Sequence, residues 1–173
     1  GAYPLRGVIM NTWDMKPADV LKNKELSELI AVLGLDINNP DSVDNMTYQN
    51  IATLTDADHD GIGHISPLLL AFFYKFWPRL FSEKRVKITR TPIMISTKGK
   101  DAKWLYTYED ANVIKGETGW KHRYIKGLGS LTEEEYDNIV NKPVYDTVTV
   151  DDANIFQMMF GKESQLRKEY MMA

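Results

Sequence analysis

Three aspartates alternate at Asp56, Asp58 and Asp60, in the run Thr55-Asp56-Ala57-Asp58-His59-Asp60-Gly61. If the run continues the apolar stretch Ile51-Ala52-Thr53-Leu54 in extended form, residues i, i+2 and i+4 project to one side, and three carboxylates share a face. Carboxylates so placed repel one another and resist ionising together unless something neutralises them. Nothing basic lies inside the run except His59, which an extended chain would point the other way. The economical counter-charge is a divalent cation, and ligands that are all oxygen select Mg2+, Mn2+ or Ca2+ over zinc. The chain has no cysteine, which removes thiolate metal sites, disulfides and thiol catalysis.

Such a run can act in three ways. Its side chains can cap the helix that follows. It can open a calcium loop of the EF-hand type, but Pro67 stands at the twelfth position, where a bidentate Glu belongs, and Gly63 at the apolar eighth. It can hold Mg2+ for phosphoryl transfer, where the metal neutralises charge developing on phosphate oxygens. Three alternating carboxylates favour the last. Two weaker signals accompany it. In Lys126-Gly127-Leu128-Gly129 the glycines let a backbone approach a phosphate closely, with a lysine as point charge. In Pro4-Leu5-Arg6-Gly7 the arginine can pair with phosphate. Each alone describes an ordinary turn or a surface arginine.

The surrounding elements must position these groups. Leu26, Leu29, Ile30 and Leu33 recur at helical spacing before Gly34, predicting a helix over 24–33. Leu68, Leu69, Phe72, Phe76 and Leu80 form one apolar stripe, predicting a helix over 65–81 that Pro78 kinks or ends. Strand-like segments follow at 86–90, 92–96, 103–108 and 120–125, with a turn at Lys98-Gly99-Lys100. Thr132 with Glu135 makes a capping box for a helix to Asn141. A strand over 145–150, a helix ending at Gly161 and an amphipathic piece holding Leu166, Tyr170 and Met171 close the chain. This order predicts an α/β fold with a parallel core. The longest apolar block, 65–73, is too short to cross a bilayer.

The 173 residues carry a net charge of −3, and that average hides a pattern. Residues 84–126 hold 11 basic and 4 acidic side chains, between flanks that are each net −5. A basic middle permits a phosphate-facing surface, and equally a solvated lysine-rich hairpin.

Four segments occur in an order and spacing that resembles the type IIA DNA topoisomerases. They are Pro4-Leu5-Arg6-Gly7, the run Thr55 to Gly61 with His64-Ile65 after it, Phe72-Phe73-Tyr74, and Tyr124-Ile125-Lys126-Gly127-Leu128-Gly129. The similarity is to the TOPRIM region of the gyrase B-type subunit and its eukaryotic relatives, and in detail to the large subunit of a T-even-like phage enzyme. It implies a Rossmann-like parallel sheet flanked by helices, lacking its first strand and extended at the C-terminus by helices and a strand. It implies a TOPRIM core over 1–125 with a basic strand insertion at about 84–125, then the Lys-Gly-Leu-Gly segment and a helical tail over 126–173.

The resemblance also implies roles. Asp56 and Asp58 correspond to Mg2+ ligands, with Asp60 as a supporting acid or water-mediated ligand. Lys126 belongs with the catalytic centre, and Arg6, His64, Lys126, Gly127 and Gly129 face DNA. The activity implied is ATP-dependent cleavage, passage and religation of double-stranded DNA. The implied partners are a breakage-reunion subunit carrying the attacking tyrosine and an ATPase region upstream in the same parent chain, which alone binds the ATP. The implied location is the cytoplasm, the host's for a phage protein.

The departures from the family are specific. Its Glu-Gly-Asp-Ser motif, which supplies a metal-binding glutamate, and any Arg-Tyr segment like that of the nucleophile are missing here. The first methionine is Met10, so the sequence is expected to be part of a longer chain, inactive alone. Val8 replaces a usual lysine after Pro-Leu-Arg-Gly. Two residues, Ile62 and Gly63, separate Gly61 from His64 where the family commonly has one serine.

Overall fold

A loop and a short helix begun by its proline, α1 (Pro17–Val20), precede helix α2 (Lys24–Leu33). Asn23 caps α2 by accepting the Leu26 N–H, and Gly34 ends it in the left-handed conformation at φ 70°. Strand β1 (Ile51–Thr53) leads into the aspartate run. The long helix expected over 65–81 is two helices, α3 (Ser66–Phe76) and α4 (Arg79–Ser82), because Pro78 cannot donate to the preceding turn. Strands β2 (Val86–Thr89), β3 (Met94–Lys98) and β4 (Asp101–Leu105) follow, then helix α5 (Tyr108–Lys115) and strand β5 (Lys121–Tyr124). Helix α6 (Glu133–Asn141), strand β6 (Tyr145–Thr147) and helices α7 (Asn154–Phe160) and α8 (Ser164–Met172) complete the order. The computed structural model describes residues 1–172.

The strands make two sheets, ordered β1-β2-β6 and β4-β3-β5. β1 and β2 are neighbours joined through α3 and α4, the connection a β-α-β unit uses. β6, from the C-terminal extension, runs antiparallel to β2: Val148 N–H donates to the Val86 carbonyl at 3.0 Å and Arg90 N–H to the Val144 carbonyl at 2.8 Å. The second sheet is antiparallel throughout, with Met94 opposite Leu105 on one side and Tyr124 on the other. Helix α5 has no counterpart in the sequence reading. Only Ala111 and Ile114 of its eight residues are buried, too few to make a visible stripe.

Two compact units divide the chain. One takes Gly1–Ile51, His64–Lys87 and everything from Thr147 on; the other takes Ala52–Gly63 and Ile88–Asp146. The Lys-Gly-Leu-Gly segment and the aspartate run from Thr55 to Gly61 both fall in the second unit, where a hydrogen bond joins Leu128 to Asp56. The first unit packs Val20, Leu26, Phe72, Trp77, Leu80 and Val86 out of reach of water. Trp77 lies edge-on to Phe72 at 5.6 Å, and its indole N–H donates to the Asp36 carbonyl and to Ser42 Oγ, both at 3.1 Å. The second unit buries Ile93, Met94, Leu105, Ala111 and Ile114, with Ala57 and Trp120 against them.

Candidate functional site

Asp56 and the Lys-Gly-Leu-Gly loop meet in the second unit, with 72 positions separating Asp56 from Leu128. Asp56 leaves β1 through Thr55, whose carbonyl accepts a hydrogen bond from Thr91 Oγ1 at 3.1 Å. The half-buried Asp56 carboxylate accepts the Leu128 N–H on Oδ1 at 2.6 Å. Gly127, at φ 145°, lies against the same carboxylate: a Cβ there would stand 3.0 Å from Oδ2 and 3.3 Å from Cγ. Glycine is therefore required twice over, for the backbone angle and for the space.

The run after Asp56 is not extended. Asp58 Oδ1 accepts the Gly61 N–H at 2.7 Å, and the Asp58 carbonyl accepts the Ile62 N–H at 3.0 Å. That is the bonding of a helix cap, and helical backbone begins at His59. Gly61 turns back onto Asp56. A Cβ on it would fall far inside contact distance of the Asp56 carbonyl oxygen and 3.0 Å from the Asp56 nitrogen. The expectation of three carboxylates on one strand face is thus corrected. A side-chain cap on a glycine N–H outcompetes strand geometry, so Asp58 and Asp60 lie on a turn, Asp60 exposed. Among the described residues no three His, Asp or Glu side chains form a ready cation cage.

Residues Gly61–Ile65 form a π-helical turn. Such a turn holds one more residue than an α-turn, and it falls where the sequence has one residue more than the Gly-Ser-His spacing of the family it resembles. Helix α3, which follows this turn, buries Ser66, Leu68, Leu69 and Phe72. His64 is exposed in this turn and belongs to the first unit, as does Arg6, also exposed, whose backbone N–H donates to Glu25 Oε1 at 2.6 Å.

Ser130 braces the Lys126–Gly129 loop. Its hydroxyl donates to the Gly127 carbonyl at 2.7 Å and accepts the Lys126 N–H at 3.3 Å. Lys126 and Gly129 are exposed and Gly127 half-buried. Arg123 donates to the Ser130 carbonyl at 3.0 Å and pairs with Glu135. Glu135 completes the expected capping box by accepting the Thr132 N–H at 2.8 Å. Burial pushes the Glu135 carboxyl up, but hydrogen bonds from Arg123 and from the Thr132 backbone outweigh it and hold it below the usual range. Sequence reading identifies the capping box but not Ser130 or Arg123, since their roles run through backbone carbonyls that carry no residue signature.

Much of the basic middle is committed to structure. Arg85 donates to the carbonyls of Val43, Tyr48 and Gln49. Arg90 forks onto Asp146 at 2.7 and 2.6 Å, Lys98 reaches the Thr118 carbonyl, and Lys103 stacks over Trp120. Lys100, Lys121 and Lys126 are exposed. The phosphate-facing surface anticipated over 84–126 narrows accordingly.

No protein-family model matches the sequence. Individual relatives do. The small subunit of DNA topoisomerase from Enterobacteria phage T4 is 44% identical over 131 residues, covering 73% of this chain and 81% of that protein. DNA topoisomerase 2 of Plasmodium falciparum is 33% identical over 174 residues, 94% of this chain and 12% of the parasite enzyme. The B-type subunit of DNA topoisomerase 4 from Bacillus subtilis is 33% identical, over 87% of this chain and 24% of its own length. The crystal structure of the Plasmodium falciparum topoisomerase II DNA-binding, cleavage and re-ligation domain matches 96% of this chain and 24% of its own at a TM-score of 0.80 and 30% identity. The chain therefore belongs to the type II DNA topoisomerases, in α/β form. Its phage relative is a small subunit, where the motif resemblance points to a large one. The chain spans most of that phage protein and less than a quarter of the parasite and Bacillus proteins.

Proposed function

We propose that this chain is the Mg2+-binding TOPRIM part of a type II DNA topoisomerase. In this reading it supports ATP-dependent cleavage, passage and religation of double-stranded DNA, together with a partner subunit that carries the attacking tyrosine and an ATPase region outside the described residues. The observation that carries it is the meeting of the aspartate run with the Lys-Gly-Leu-Gly loop at Asp56.

The donor set suits magnesium. Its oxygens are hard, and Mg2+ keeps several waters and takes one or two carboxylates plus substrate phosphates instead of a closed protein cage. Asp56 and Asp58 would hold the ion, with Asp60 acting through water. When bound, it supplies charge neutralisation at the scissile phosphate and the leaving oxygen. Asp56 meets it already oriented. Asp58 has one oxygen on Gly61 N–H and keeps the other. Lys126, exposed beside Gly127, offers a point charge to a phosphate, and Gly127 and Gly129 let the strand come close. Arg6 and His64 would bind DNA phosphates. No helix among the described residues is long and apolar enough to cross a membrane.

The test is Asp56→Asn and Asp58→Asn in the assembled topoisomerase. Both should abolish Mg2+-dependent cleavage while leaving the circular dichroism spectrum and partner binding unchanged. Undiminished cleavage removes the metal assignment. The commitment of Asp58 to a cap favours a second reading, a noncatalytic DNA-binding or subunit-docking module. DNA binding that follows salt but ignores Mg2+ and both substitutions would establish that one.

A further inference from the structure

A metal-binding carboxylate works best when its orientation is fixed before the ion arrives, and the groups that fix it are seldom visible in sequence. Asp56 has such groups on two sides. The Leu128 N–H, at 2.6 Å, is a charge-assisted hydrogen bond that takes one of the roughly four lone-pair positions of a carboxylate and leaves Oδ2 uncommitted by it. Gly127 stands against the carboxylate where any Cβ would crowd Oδ2. The peptide that presents this N–H is not a loose loop. Ser130 fixes it through Oγ to the Gly127 carbonyl, and its own N–H bonds the same carbonyl at 3.0 Å. Arg123 then ties Ser130 to Glu135 at the start of α6.

We propose that the Leu128 N–H, Gly127 and Ser130 are positioning groups for Asp56. They hold its carboxylate in the orientation that takes up the divalent cation, and so couple cation binding to the order of the 126–130 loop. This rests on the metal reading of Asp56.

Leu128→Pro tests it with little side damage. Leu128 opens a 3-10 turn, where proline is tolerated, and Gly127 has ψ 165°, which a following proline accepts. The substitution deletes the N–H and the leucine side chain. Leu128→Ala deletes the side chain alone. Binding of Mn2+ to the chain, followed by its electron paramagnetic resonance signal, should be at least about tenfold weaker in Leu128→Pro than in Leu128→Ala, the scale of outer-shell losses at metal sites. Ser130→Ala should fall between them. Equal affinity in the two Leu128 variants, with Asp56→Asn still losing the ion, overturns the positioning role and leaves the metal reading intact. Binding unaffected by Asp56→Asn, or absent from the wild type, overturns both. An arm without metal guards against a Leu128→Pro variant that fails to fold. In the wild type the Leu128 amide proton should resonate well downfield and exchange slowly, and Asp56→Asn should move it upfield. An amide that ignores Asp56→Asn sinks the proposal.

Discussion

The two units of this chain are stabilised in different ways. The first is organised by burial: Phe72, Trp77, Leu80 and Val86 are shut off from water, and Phe73 and Phe76 pack beside them. The second has a thinner core, Ile93, Met94, Leu105, Ala111 and Ile114, and its site is shaped by directed polar contacts such as Leu128 N–H to Asp56, Arg123 to Glu135 and Arg90 to Asp146. Burial is strong and non-directional. A hydrogen bond or ion pair fixes geometry closely but depends on protonation, on salt and on competing ligands. The Asp56 carboxylate, half-buried and ordered by a single amide N–H, sits in the second kind of environment.

The sharpest way to break that contrast is in the aromatic core. Trp77→Ala removes the largest fully buried side chain and two hydrogen bonds, and leaves the Asp36 carbonyl and Ser42 Oγ without the indole. It should cost about 3–5 kcal/mol in urea denaturation. A loss under about 1 kcal/mol would mean that burial does not dominate the first unit.

What is legible in the sequence follows the same division. The buried stripe of α2 and its Gly34 stop, the break at Pro78 and the capping box at Thr132 are local patterns, and they are found where spacing places them. The aspartate run misleads, because alternation implies a strand only if the backbone stays extended. Asp58 and Gly61 instead supply a cap and a turn, and a glycine that packs on a peptide looks in sequence like any other. Helix α5 escapes detection because two buried residues make no stripe. The family resemblance puts Asp56 and Lys126 in one catalytic centre, but the meeting of Asp56 with the Leu128 N–H is not legible in the sequence. A backbone donor 72 positions away leaves no mark on composition or periodicity.

A middle-sized effect falls on the site itself. Gly61→Ala forces a methyl into the Asp56 peptide, a backbone neighbour that cannot rotate aside. Overpacking of this kind should cost about 1–3 kcal/mol. The damage should concentrate in the second unit: backbone amide shifts of 55–62 and 126–130 should move while those of α2 and α3 stay. Shifts spread evenly over both units would mean that the polar site and the aromatic core are one cooperative body, and the contrast would fail.

The smallest effect is the most diagnostic, because it depends on pH. Thr132→Ala removes the α6 cap and should cost about 1 kcal/mol. Its partner Glu135 titrates below its ordinary range, since Arg123 and the Thr132 N–H favour the charged form more than burial opposes it. Asp146 lies low as well, chiefly through its hydrogen bond from Arg90. A carboxyl whose folded pKa is depressed contributes stability that is present above its unfolded value, about 4 for both types. That contribution is lost as pH falls through the folded value. Acidifying from about pH 6 toward about pH 3 should therefore lower hydrogen-exchange protection in α6 and at Arg90 before it touches the Trp77 indole. Glu135→Gln should flatten the α6 response without changing that of Trp77. If protection declined in parallel at α6 and Trp77, the Glu135 and Asp146 pairs would not set the acid response of the second unit, and its thinner core would have to carry that response alone.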